Sequence, residues 1–137
     1  MPSDLEKTLK QAIGITDGDL ARLGPRVRRN LSAAPQLRQL RIVAQGTDAK
    51  YCFQALKVGQ KLVFTCAPFQ LSPRESDCPL CLSALKPVLD AAMLMREPLL
   101  AGQAPEQVFE RTAECLDPGL DYGGLGHVRF KVFLEKA

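Results

Sequence analysis

The sequence predicts an α+β fold: a small antiparallel sheet packed on one central helix, with a helical amino-terminal extension. Three observations carry this. Apolar residues recur at helical spacing near the start of the chain, strands do not alternate regularly with helices, and the last segment alternates with period two. With 137 residues, 46% of them hydrophobic, there is enough apolar material for one real core. We expect a helical extension over residues 1–35 and a cysteine-containing α+β domain over 36–137.

"SDLE" at residues 3–6 is a capping box, with the serine hydroxyl and Glu6 placed to satisfy the first helical amides. Leu5, Leu9 and Ile13 then form an apolar stripe, and Gly14 supplies a stop. A second start follows at Thr16, with Leu20 and Leu23 on one face. Pro25 suits the first turn of a third short helix through Leu31, and "SAAP" at residues 32–35 reads as a linker.

From about Leu37 the period changes. "LRIVAQ" and "AKYCFQ" read as strand segments interrupted near Gly46, "VGQ" as a turn, and "KLVFTCA" as a second strand. On that strand Leu62, Phe64 and Cys66 share one face. A polar, proline-bearing loop over residues 68–77 leads to a helix expected to begin at Cys78. Its Leu82, Leu85, Leu89, Met93 and Leu94 predict a largely buried helix, and Pro87 should kink it. "EQVFERTAE" reads as a short helix or a passage into a strand. "HVRFKVFLEK" closes the chain as a strand with Val128, Phe130, Val132 and Leu134 on one face.

No run of about 18 apolar residues occurs, so no membrane-spanning helix is expected. The first residues lack the apolar stretch of a secretory signal, which leads us to expect a cytoplasmic protein. In that compartment a disulfide framework is not expected, and the odd count of five cysteines points the same way. Metal binding and thiol chemistry are the remaining uses.

Cys78-Pro-Leu-Cys81 is the focal stretch: a redox pair, two metal ligands, or two small apolar residues at the head of a helix. With Cys78 near the expected helix start, its thiol would lie at the positive end of the helix dipole. Thioredoxin-type exchange would need a βαβ unit, and none is visible. Cys52, Cys66 and Cys115, each at a strand end or beside a turn, supply further soft ligands. The spacing is neither a zinc ribbon nor a ferredoxin run. Cys66, in register with Leu62 and Phe64, equally suits the core.

The stretches "YCFQALKVGQKLVFTC", "CPLCLSALKP" and "ECLDPG…VRFKV" resemble a family of small, largely uncharacterised prokaryotic proteins, many from anaerobes. That family carries a Cys before a "GxxVGD" turn, often a second Cys ending the next strand, and a helix-opening Cys with a Pro nine residues on. A further Cys lies in a "CPD" turn before a "V-x-F" strand. The resemblance covers about residues 50–134 and falls on Cys52, Cys66, Cys78 with Pro87, and Cys115 with Asp117. Gln60, Ala55 and Leu116 depart from the pattern, and Cys81 is extra. The resemblance implies a shared cysteine-lined site.

The expected function is therefore a metal or iron–sulfur centre (iron–sulfur cluster or zinc) held by Cys52, Cys66, Cys78 and Cys115, with Cys81 as the alternate. Of the CxxC pair, Cys78 is expected to be functional and Cys81 mainly packing. His127, the only histidine, could serve as a further ligand or base, although a half-exposed residue opening a strand is ordinary there. Asp117 in "CLDPG" is expected to make an Asx turn that orients Cys115. "DYGGLG" lacks the Lys-Ser/Thr of a phosphate loop and reads as a turn. The different-class alternatives are a non-enzymatic interaction module with structural cysteines, and a thiol-redox protein.

Arg22, Arg26, Arg28, Arg29, Arg38 and Arg41 fall in one segment without an acid among them. No aromatic residues interleave with them, so nucleic acid is not the expected partner. A solvated face comes first and a protein docking surface second. The apolar stripes of the amino-terminal helices must bury on the domain, on a partner protein or on a second copy in a homo-oligomer.

Overall fold

The computed structural model describes residues 4–137, so the serine expected to cap the first helix, at position 3, lies outside the described residues. Four helices and five strands follow in the order α1 (Asp4–Ile13), α2 (Asp17–Ala21), α3 (Pro25–Leu37), β1 (Leu40–Lys50), β2 (Lys61–Cys66), β3 (Phe69–Leu71), α4 (Leu82–Leu100), β4 (Arg111–Glu114) and β5 (His127–Lys136). The strands form one antiparallel sheet in the order β3-β2-β1-β5-β4, and α4 lies against it. The fold is α+β.

The closing strand is as its alternation predicts: Val128, Phe130 and Val132 are buried in the core. From β1, Ile42 and Ala44 join them, and from β2, Leu62, Phe64 and Cys66. The break expected near Gly46 is a register shift between Gly46 and Asp48 within a single long strand. A Cβ at that bulge would stand 3.2 Å from Leu56 Cδ2, a tight contact that the buried Leu56 would have to shift to accommodate.

Helix α4 differs from expectation in two ways. It begins at Leu82 with Cys81 at the N-cap, so Cys78 lies outside the helix. Its core face is Ala84, Val88, Ala91, Ala92, Met95 and Leu99, while Leu82, Met93 and Leu94 are exposed. The small residues let the helix axis approach the sheet, which the larger leucines on the outer face would prevent. The loop over 68–77 is also more ordered than its composition implies. It contains β3, and its Ser76 Oγ accepts from Val63 N–H at 2.9 Å while Ser72 N–H donates to Val63 carbonyl at 2.8 Å. The edge of β2 beyond β3 is thereby satisfied.

The amino-terminal helices are joined to the body continuously. Residues 32–35 are not a linker: they lie inside α3, Pro35 included, and Leu37 at its end is a core residue. Helix α1 buries no residue and α2 buries Leu20 alone. Arg28 ties them together, donating to Leu20 carbonyl at 2.7 Å and Leu23 carbonyl at 3.3 Å and pairing with Glu6 at 3.5 Å. Three of the six arginines therefore have structural work: Arg28 here, Arg22 with Asp19, and Arg41 with Glu75. No helix among the described residues is long and apolar enough to cross a membrane.

Candidate functional site

The antiparallel order brings five element termini to one end of the sheet. There β1 and β4 end, β2 and β5 begin, and α4 starts. Cys52, Cys78, Cys81 and Cys115 each lie within four residues of one of these termini. Cys52, Cys81 and Cys115 line a common cavity of about 180 Å³ with Leu56, Ser83 and Val128. Cys78 is outside that lining but near enough to Cys52 and Cys81 for their charges to act on its thiol.

Each thiol is placed by its backbone. Lys50 pairs with His127, so the chain turns out of the sheet just before Cys52. The turn is tight: Tyr51 and Ala55 have φ of 54° and 56°, a left-handed conformation that ordinary residues adopt at a cost of about 1–2 kcal/mol each. Gly126 passes directly over this turn, and a Cβ on it would collide with Tyr51 carbonyl oxygen and approach Cys52 Cα to 3.0 Å. Cys78 is fixed by its own amide and that of Asp77, which donate to Lys61 carbonyl at 3.1 and 3.0 Å. Lys61 amide in turn donates to Asp77 Oδ1 at 2.8 Å.

Cys115 continues the β4–β5 ladder by one step. Its amide donates to Val128 carbonyl at 2.9 Å, and Val128 amide donates to Cys115 Sγ at 3.2 Å. Asp117 organises the loop that follows, as its Asx-turn reading predicts: Gly119 and Leu125 amides donate to Oδ1 and Gly126 amide to Oδ2, all at 3.0 Å. These amides hold the Asp117 carboxyl below its ordinary range, led by those of Gly119 and Leu125.

Burial pushes the Cys78 thiol up to about 11, with further contributions from Asp77, Cys52 and Cys81. No cation stands among these causes, so Cys78 is held as the neutral thiol. This corrects the expectation that a helix dipole would favour its thiolate. The N-cap position belongs to Cys81, which also lines the cavity, so the division into a functional Cys78 and a packing Cys81 loses its physical basis.

Cys66 stands apart. It is buried in the core at the opposite end of β2 from Lys61, about five residues and roughly 16 Å of strand away from Cys78. Burial raises its thiol as well, against the lowering effect of Arg96 and Arg41. Its carbonyl accepts from Arg96 Nε at 2.8 Å. Cys66 cannot share a centre with the other four.

His127 is half-buried beside Cys115, with Nδ1 3.9 Å from Sγ. The same nitrogen lies 2.6 Å from Asp117 carbonyl oxygen, which can only accept, so Nδ1 carries a proton and cannot take one from Cys115. Nε2 faces Glu114 at 3.5 Å. His127 thus props the Asp117 turn and is not a base for the thiol. Among the described residues no three Cys, His, Asp or Glu side chains already stand close enough together to hold an ion.

The sequence reading missed two contributors: Gly126 and the strained Tyr51–Ala55 turn. Of these only Gly126 had a signal, as one of the glycines in "GGLG". No protein-family model, curated protein or solved structure matches this chain.

Proposed function

We propose that Cys52, Cys78, Cys81 and Cys115 bind a thiophilic metal centre, zinc or an iron–sulfur cluster. The convergence of four thiols from three separate segments at one end of the sheet carries this reading. The donor chemistry fits such a centre. All four thiols are half-buried, no cation stands among the causes that raise the Cys78 thiol, and Val128 amide already donates to Cys115 Sγ. A cation supplies the missing charge and displaces the thiol protons. Binding must also draw the four sulfurs inward, since no three of them yet stand close enough to hold an ion. Reactive-thiol chemistry is the weaker reading, because the Cys78 thiol is pushed away from ionisation.

Anaerobic purification of the full chain, followed by metal analysis and an optical spectrum, tests this. We expect one centre per chain; visible absorbance with iron and sulfide marks a cluster, and a colourless zinc protein marks a mononuclear site. Alanine at Cys52, Cys78, Cys81 or Cys115 should each reduce bound metal, and Cys66→Ala should retain it. Folded chain that takes up neither metal would overturn the reading. It would favour an interaction module, for which Phe53, Leu82 and Leu116, 90%, 76% and 66% exposed beside the thiols, provide an apolar surface.

A further inference from the structure

Cys115 and Cys81 come from segments more than thirty residues apart in the chain, yet both line the same small cavity. A single backbone bond links the segments: Leu116 amide donates to Ser83 carbonyl at 3.1 Å. Ser83 lies in the first turn of α4, whose N-cap is Cys81. In an uninterrupted helix that carbonyl would accept from the amide of residue 87. Residue 87 is Pro87, which has no amide to donate and whose ring, inside a helix, crowds the carbonyl four residues earlier. The Leu116 side chain is 66% exposed, so packing of that side chain does not hold the segment in place. The Asp117 carboxylate engages only amides further along the chain.

From this geometry we infer that Pro87 is a positioning residue of the thiol site: it frees Ser83 carbonyl to hold Leu116 amide and so sets Cys115 against Cys81. A helix-interior proline usually weakens a helix, and here the orphaned acceptor is put to use between two thiol-bearing segments. The inference rests on Cys115 being a site thiol, but its primary readouts are taken on metal-free protein, so it can fail independently of the metal reading.

The variant is Pro87→Ala in the full chain, with Pro98→Ala as the control. Pro98 also lies inside α4, at the end away from the thiols. Pro87→Ala restores the helical amide, which competes for Ser83 carbonyl. We expect Leu116 amide exchange and Cys115 alkylation each to rise several-fold, with exchange of the core amides of β1 and β5 unchanged. Pro98→Ala should leave both rates as in the parent chain. In metal-loaded protein, Pro87→Ala should also lose metal to a chelator faster. Unchanged Leu116 exchange and Cys115 alkylation in Pro87→Ala would overturn the inference. An equal rise in Pro98→Ala would do so too, by showing a general loosening of the helix.

Discussion

Cys78 shows how one side chain can carry a pH signature for the whole chain. Burial first, then Asp77 and the thiols of Cys52 and Cys81, move it from an ordinary 9.0 to about 11. Below 9.0 the thiol is neutral in both folded and unfolded chain, so the shift contributes nothing that varies with pH. Between 9.0 and about 11 the unfolded chain releases this proton and the folded chain keeps it, so stability falls as pH rises through that window. We therefore expect metal-free Cys78→Ala to show a shallower loss of melting temperature across that window than the parent chain. Cys66, shifted in the same direction, keeps its own share in both proteins and contributes to the residual slope. Identical slopes in the two would mean that Cys78 titrates in the fold as it does in the open chain.

Among the elements, the loop between β4 and β5 depends most on one carboxylate. Asp117 accepts from Gly119, Leu125 and Gly126, and a Cβ at Gly124 would collide with its Oδ1, so the loop is wound tightly around it. In Asp117→Asn one oxygen is replaced by an amide that donates, which would face a backbone N–H. Gly126 amide exchange should rise, and with it the freedom of the Cys52 turn that Gly126 covers. The sign with pH follows from the depressed carboxyl. Its stabilisation is present above the ordinary 3.8 and is lost as pH falls through the lower folded value, so acid unfolding of Asp117→Asn should lack that component. Equal acid unfolding curves for parent and variant would remove Asp117 from this role. The Asx turn was legible in the sequence because its signal is local: an Asp before Pro-Gly. Strand β5 was legible for the same reason, its alternation reporting one buried face. The start of α4 was misplaced because Pro79 fits a first helical turn in isolation, whereas the amides of Asp77 and Cys78 are taken by Lys61 carbonyl. That competitor is sixteen or more residues away and leaves no local trace.

Across the whole molecule, the site exists only through non-local pairing. Cys52 meets Gly126 because β5, from the end of the chain, inserts between β1 and β4. The thiols could be named from the sequence, but which four share an end could not, since Cys66 and Cys78 flank opposite ends of the same strand and loop. The amino-terminal boundary was misjudged for a related reason: residues 32–35 are small and end in proline, yet core contacts at Leu37 and packing of α3 on α4 carry the helix through them. Two truncations separate these views. Removal of residues 1–23 takes away α1, α2 and Leu20, their one buried side chain among the described residues, whose burial is worth at most about 1.5–3 kcal/mol. The remainder should fold with its sheet intact and a lowered melting temperature. Removal of residues 1–35 also cuts α3 two residues before its end, leaving Leu37 on a frayed stub and α4 without its helical neighbour. That chain should be markedly less stable, with α4 amides exchanging faster than in the shorter truncation. If thermal unfolding finds the two truncations equally stable, residues 25–35 contribute no packing and the extension ends at 35 after all.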